Sequence, residues 1–388
     1  MKNNSKNILY LGLVSLFTDL SSQMIYPLIP EFLVNIGANK SVIGIIEGIA
    51  ESTASLFRTI FGKWSDSVRR RKIFIFCGYG LSALSRPFLF LAQHWTVVLG
   101  VRFSDRIGKA MRTPARDALI SSSVSSGKRG RAFGFHRAMD KIGAVGGPLL
   151  ALLILQQSNH NVRLVFLLSV IPAILALLFI FFAKEISSVS IPETGQQQIP
   201  IKNRSFILFL IAITVFTLGN SSNAFLILKA REVGLEVYLI PLIWMVYNIF
   251  GSISSPIFGS LSDRVGRKAI ILISFLYYSL IYSLFGLTER LLIVWILFAA
   301  YGIYYGLSEG VFRAYIADII TENRRATAYG IFNTAIGLAL LPASLIMGTI
   351  WDLYGSQWAF LTSAFFSFLG FLIMLTMYFF KNTTPATK

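Results

Sequence analysis

Gly62-Lys-Trp-Ser-Asp66-Ser-Val-Arg69-Arg70-Arg71-Lys72 and Gly259-Ser-Leu-Ser-Asp263-Arg264-Val-Gly266-Arg267-Lys268 are two versions of one polar stretch, 197 residues apart in a chain of 388. Each sits between two long apolar segments, at the same point of two similar halves. A set of membrane spans present twice over is the build of a secondary transporter.

Composition agrees with this reading. With 55% hydrophobic and 14% charged residues and a mean hydropathy of +0.66, too little polar surface is left for a soluble globule of this size. Twelve stretches are long enough to cross roughly 30 Å of hydrocarbon as helices. The first six lie near 8–35, 41–61, 73–93, 95–122, 131–156 and 162–183. The others lie near 205–230, 237–259, 269–288, 291–318, 326–350 and 357–380. A polar stretch with Pro192 and Pro200 separates the sets, so the expected organisation is a six-helix bundle at 1–183, a linker at 184–204 and a second six-helix bundle at 205–388.

Lysine and arginine set the orientation, because cytoplasmic loops keep an excess of them. The N-terminus, the ends of the even-numbered spans, the linker and the C-terminus carry twenty; the opposite loops hold a handful, among them Lys40, Arg163 and Arg290. Both termini are therefore expected in the cytoplasm, with the chain multi-pass in the cell's inner membrane. Much of the formal charge of +17 is this topology signal, so no nucleic-acid partner is needed to explain it. The first apolar stretch lacks a small-residue cleavage site and reads as a retained helix. The single Cys77 excludes an internal disulfide.

The repeat extends beyond the two polar stretches. Ser-Ser-Gln at 21–23 answers Ser-Ser-Asn at 221–223, and Arg131-Ala-Phe-Gly134 answers Thr327-Ala-Tyr-Gly330. On these features the chain resembles the major facilitator superfamily (MFS), in which G-x-L-A-D-R-x-G-R-K follows helix 2 and recurs after helix 8. The second copy matches almost fully, and the first departs at Trp64, Ser67 and Arg69. The resemblance implies an all-α integral membrane fold of twelve transmembrane helices in two pseudo-symmetric six-helix bundles, rocking about a central site. It also implies a gating role for Gly62, Asp66, Arg70, Gly259, Asp263, Arg264, Gly266 and Arg267. A carboxylate ending one helix can dock on the positive N-terminus of another or on an arginine, and such contacts break and re-form.

Charges inside spans point to the cavity, since an unpaired charge in lipid is costly. Helix 4 carries Arg102, Asp105, Arg106, Lys109, Arg112, Arg116 and Asp117, which at about 100° per residue fall within an arc of roughly 140°. Helix 5 carries His136, Arg137, Asp140 and Lys141. Asp19, Gln23 and Tyr26 share a face of helix 1, and Glu47 and Glu51 stack on helix 2. The second half offers Asn223, Tyr305, Glu309 and Arg313. Each ion also has a structural alternative: Arg102 with Asp105, Arg116 with Asp117, or Glu309 with Arg313 can simply hold helices together. The cationic surplus of helix 4 calls for an anionic partner, supplied in part by Glu47, Glu51, Asp19 or Asp140 and in part by a substrate carboxylate or phosphate. Arg102, Lys109, Arg112, Arg137, Gln23, Tyr26, Asn223, Tyr305, Glu309 and Arg313 are the expected substrate contacts, with Lys109, Arg112 and Arg137 preferred because they lie nearest mid-span.

No Gly-x-x-x-x-Gly-Lys-Ser/Thr loop is present, so the energy source is expected to be a gradient, most economically of protons, with no cofactor and no metal. A buried carboxylate beside a cation can change its proton affinity when the cation moves or the site is wetted. Asp19, Glu47, Glu51 and Asp140 are the proton-coupling candidates, with Glu51 and Asp19 ranked first. The segments Thr18–Pro30, Ile46–Ser55, Asp105–Lys109 and Arg116–Ile120 resemble a bacterial subgroup of the superfamily related to permeases for carboxylate-type siderophores. The subgroup's glutamate is replaced by Gln23 here. Gly143-Ala-Val-Gly146-Gly147-Pro148 resembles a motif of drug–proton antiporters, and tight helix packing explains it equally. The expected function is proton-coupled transport of a small organic, anionic solute, with multidrug efflux as the alternative and a non-transporting sensor as a third reading. The scattered His94, His136 and His160 and the lack of a nucleophile motif argue against an enzyme. Nothing requires more than a monomer.

Overall fold

The computed structural model describes residues 5–68, 70–186, 203–321 and 324–379, and among these the chain is helical without a strand. The linker expected at 184–204 lies mostly outside the described residues, as does Arg69. Twelve long helices follow one another among them: α1 (Lys6–Asn35), α2 (Lys40–Val68), α3 (Arg71–Leu91), α4 (Trp95–Ser122), α5 (Arg129–Gln157), α6 (Val162–Phe182), α7 (Arg204–Glu232), α8 (Val237–Val265), α9 (Arg267–Leu287), α10 (Leu291–Ile319), α11 (Thr327–Tyr354) and α12 (Ser356–Tyr378). Ten are apolar enough to cross a membrane on composition alone. The other two are α2 and α4, which at 29 and 28 residues are long enough but carry the charges discussed above.

Helix limits differ from the sequence expectation at the two polar stretches. The helices run on through Asp66 to Val68 and through Asp263 to Val265, because nothing from Lys63 to Val68 or from Ser260 to Val265 opposes helix. The second ends where Gly266 turns at φ +99°, a left-handed conformation that suits a residue without a Cβ. Single residues, Arg86 and Ser169, interrupt α3 and α6, and α1 and α7 break more fully. Pro27 and Pro30 interrupt α1 with a 3₁₀ turn at Tyr26–Leu28, and α7 opens between Gly219 and Ala224, where the Tyr278 hydroxyl donates to the freed Gly219 carbonyl at 3.0 Å.

Within the first half, α1 packs on α5 and α6, and α4 on α2 and α3; within the second, α8 packs on α10, and α12 on α7 and α9. The halves meet along α2 with α11 and α5 with α8. Short connections put the start of α1, the end of α12 and the polar stretches on one face of the molecule, called here the terminal side. On the opposite, far side one apolar core crosses both halves, from Met24, Leu28 and Phe32 to Phe225, Trp244 and Trp351, whereas toward the terminal side α1, α3, α4 and α6 bury a smaller core of their own around Leu11, Phe74 and Leu119.

Candidate substrate and gating site

The far side is closed by named contacts between the halves. Gly44 of α2 sits so close to α11 that a Cβ there would collide with the Ser344 carbonyl, and Gly48 approaches Leu341 in the same way. Small residues let helix backbones touch in this manner. At the rim Asp352 of α11 accepts from the backbone N–H of Lys40 at 3.0 Å and of Ser41 at 2.7 Å, and Arg231 pairs with Glu31 at 3.1 Å. The His160 ring stacks on Tyr238. Toward the terminal side Arg137, Glu309 and Arg313 are exposed, so the centre opens in that direction.

At the inner edge of this seal, α2 and α4 share a buried ion pair. Arg102 donates from Nε and Nη2 to the two oxygens of Glu47 at 2.8 and 2.6 Å, with 5% and 1% of the side chains exposed. Such a pair is held by geometry and is costly to break from one side only. The Ser222 hydroxyl, in the break of α7, donates to Glu47 Oε2 at 3.2 Å, joining the second half to the pair. Arg102 also lies over the Tyr26 ring at 5.2 Å. Tyr26 packs against Trp244, whose Nε1 donates to the Gln23 Oε1 at 2.7 Å. An aromatic wall continues through Tyr247 to Tyr301, and the Tyr301 hydroxyl donates to Asn223 Oδ1 at 2.7 Å.

One turn toward the terminal side, Arg106 pairs with Glu51 at 2.9 Å. Arg116 pairs with its neighbour Asp117 at 2.9 Å, as the sequence allowed. Arg102 is not bound to Asp105, which instead lies 3.9 Å from Arg86 of α3. No ion pair joins Glu309 to Arg313 among the described residues. Arg112, expected to contact substrate, points at α3: it donates to the Gly78 carbonyl at 3.3 Å and to Ser82 at 2.5 Å, and lies 4.7 Å from the Tyr79 ring centre. Its position at one limit of the charged arc explains the difference, since that edge of α4 faces α3 and the middle faces the centre.

Lys109 occupies the middle of the arc. It is half-buried and makes no ion pair among the described residues, and the charges acting on it are Arg106, Glu51, Arg58 and Asp19. Arg58, one to two turns beyond Glu51 on α2, keeps its Nε buried without a hydrogen-bond partner and feels Arg313 across the interface. The sequence reading missed Arg58; its signal was a lone arginine in an apolar run. Lys141, 5.2 Å from the Tyr305 ring centre, turns this face of α5, with Arg137 one turn below, toward α10. Asp140 accepts from Ser15 of α1 and lies 3.5 Å from His136 Nδ1. Asp19 faces α5 at Gly143.

The ion pairs of Asp66, Asp263 and Arg267 stay within their own halves. Asp66 is 3.6 Å from Arg71, and its side chain is 65% exposed. Arg267 binds Asp263 at 3.1 Å and Asp318 of α10 at 2.9 Å. Arg70 and Arg264 are exposed, nothing lies within 4 Å of where a Cβ on Gly259 would stand, and Gly62 faces Pro114 of α4.

Comparison with known proteins places this architecture. The profile described as the Major Facilitator Superfamily matches residues 11–306 and 207–388. An uncharacterized MFS-type transporter of Methanocaldococcus jannaschii is 36% identical over 382 residues, covering 94% of this chain and 95% of the relative. The multi-drug resistance efflux pump PmrA of Streptococcus pneumoniae is 25% identical over 285 residues, 69% of each chain. Among solved structures, the nucleoside transporter NupG superposes with a TM-score of 0.77 at 14% identity, covering 97% of this chain and 100% of the other.

Proposed function

Since the chain belongs to the Major Facilitator Superfamily and is a multi-pass membrane transporter, we propose that it moves a small organic anion, of carboxylate or siderophore-like chemistry, by proton-coupled alternating access. The observation that carries this reading is Lys109. The neighbouring arginines Arg102, Arg106 and Arg116 are tied to carboxylates and Arg112 to α3, whereas Lys109 faces the centre without an ion-pair partner among the described residues. Arg58, Arg137 and Arg313 extend the positive surface toward the mouth. A mobile anion satisfies such a surface where no fixed carboxylate does.

In this reading the halves 1–183 and 205–388 rock about the linker, the terminal side is cytoplasmic, and the membrane is the inner one. The chain works as a monomer, because a single central site draws on both halves. Gln23, Tyr26, Asn223, Tyr305 and Glu309 shape that site, and rocking brings the Asp66 and Asp263 stretches into contact across the interface, closing the cytoplasmic side as the far seam parts. One of Asp19, Glu47, Glu51 and Asp140 carries the coupled proton.

Multidrug efflux is the second reading, favoured by the aromatic wall of Trp244, Tyr247, Tyr301 and Tyr305 beside Glu309, which suits a lipophilic cation, and by the PmrA relative. Uptake into proteoliposomes separates the two. Under an imposed proton gradient, di- or tricarboxylates or ferric carboxylate chelates are expected to accumulate, and Lys109→Gln to abolish it. Accumulation of cationic dyes alone would overturn the anion reading.

A further inference from the structure

The carboxylates within the spans of the first half fall into two groups. Glu47, Glu51 and Asp117 each lie within 2.9 Å of an arginine, Glu31 lies 3.1 Å from Arg231, Asp66 3.6 Å from Arg71 and Asp105 3.9 Å from Arg86. Asp19 and Asp140 have no lysine or arginine within ion-pair distance among the described residues. They lie one turn apart along the seam of α1 and α5: Asp140 accepts from Ser15, four residues before Asp19, and Asp19 faces Gly143, three residues after Asp140, so closely that a Cβ on that glycine would stand 3.0 Å from the Asp19 Cβ. One turn nearer the terminal side, His136 is 3% exposed, with Nδ1 3.5 Å from Asp140 Oδ2 and Nε2 buried without a partner.

We propose that His136, Asp140 and Asp19 form a proton relay along the α1–α5 seam, and that Asp19 at its inner end is where the proton meets the substrate site. This rests on the anion reading above for what the proton is coupled to. The argument for the place is separate. Glu47 and Glu51 are each clamped by a guanidinium group and serve as fixed struts. Two carboxylates one turn apart without such a clamp interact as a pair and share protons. Chains of acids and histidines inside membranes are the usual carriers of protons.

The step balances without a co-reactant. A proton from the terminal side binds His136 Nε2 as the proton on Nδ1 passes to Asp140 Oδ2, leaving the imidazole neutral. Asp140 then passes a proton to the Asp19 carboxylate, and tautomerisation of the imidazole back to its Nδ1–H form readies the relay for the next. The cations whose charge acts on Asp19 are Lys109, Arg116 and, from the α3 edge of α4, Arg112. Those facing Asp140 are Arg116, Lys109 and Lys141, and Arg116, Asp117 and Arg137 face His136. Lys109 feels the charges of both Glu51 and Asp19. A bound anion that draws the ammonium away removes positive charge from beside Asp19, so anion and proton bind together, and the coupling is symport.

Infrared spectroscopy of the detergent-purified full chain reads the relay without a substrate. The band of protonated carboxyl groups is expected to weaken in Asp19→Asn and in Asp140→Asn and to persist in Glu51→Gln. His136→Gln is expected to keep the intensity of the band and its thermal midpoint but to slow its exchange in D2O by about a hundredfold, the low end of what a positioned acid–base group supplies. A merely structural histidine would change stability and leave the exchange rate alone. A band abolished by Glu51→Gln and unmoved by both aspartate variants overturns the relay, and so does unchanged exchange in His136→Gln. Flux of carboxylates under a proton gradient is measured separately, so a wrong substrate class and a wrong relay fail in different assays.

Discussion

Removing the Asp352 carboxylate is expected to loosen the far-side seal by a calculable amount. The first N–H groups of a helix have no partner within it. At the start of α2, Asn39 of the same half accepts from Val42 at 2.9 Å. The N–H groups of Lys40 and Ser41 and the Ser41 hydroxyl, the last at 2.5 Å, are satisfied by Asp352 from the other half. Losing a capping carboxylate costs about 0.5–2 kcal/mol, and because Asp352 is exposed water competes and about 1 kcal/mol is left. The cap is made only when the far side is closed, so all of that sum enters the opening equilibrium. The population open to the far side then rises about fivefold. Leu341→Cys in a Cys77→Ser background reports the event, because Leu341 covers Gly48 in the closed seam. A membrane-impermeant maleimide applied from the far side is expected to label Leu341→Cys about fivefold faster when Asp352→Ala is added, with Asp352→Asn in between. Labelling of Asp352→Ala at the parent rate, with the thermal midpoint unchanged, would refute the idea that this cap holds the gate.

Gly44→Leu is expected to hold the seam apart, because its side chain would collide with the Ser344 carbonyl; the same labelling should then be at its fastest, whatever residue 352 is. Arg102→Ala strands the buried Glu47 carboxylate and is expected to cost about 3–5 kcal/mol. Thermal unfolding should show most of this loss regained in the double variant with Glu47→Gln. Lys109→Gln is expected to abolish anion-dependent stabilisation at an unchanged thermal midpoint without ligand. Arg112→Gln should instead lower the midpoint itself, since it loses the bonds from α4 to α3.

The fold was legible in the sequence because lipid imposes it. Backbone polar groups must be satisfied within a helix, span length follows from bilayer thickness, and the repeated Gly-x-x-x-Asp stretches mark the spans as a repeated set. The helix limits were less legible: the stretches around Asp66 and Asp263 look like loops by polarity and form helix because nothing in them opposes it. Charges on α2 and α4 were legible as a cluster facing inward. Which of them are spent was not. A helical arc gives the direction of Arg112 and Lys109 to within tens of degrees, and they point to different neighbours, one to the Gly78 carbonyl and the other to the centre.

By itself, then, the sequence determined a duplicated, all-helical membrane transporter whose first half is rich in charge, since hydropathy and repetition are properties of the chain. Only the tertiary structure decided that Glu47 and Glu51 are locked to arginines while Asp19 and Asp140 are not, that Ser222 and Asp352 reach across to the other half, and that the far side is the closed one. These are relations between helices brought together by packing, and the energy of a charge in a membrane depends on its neighbour within a few ångströms, which residue order along one helix does not specify.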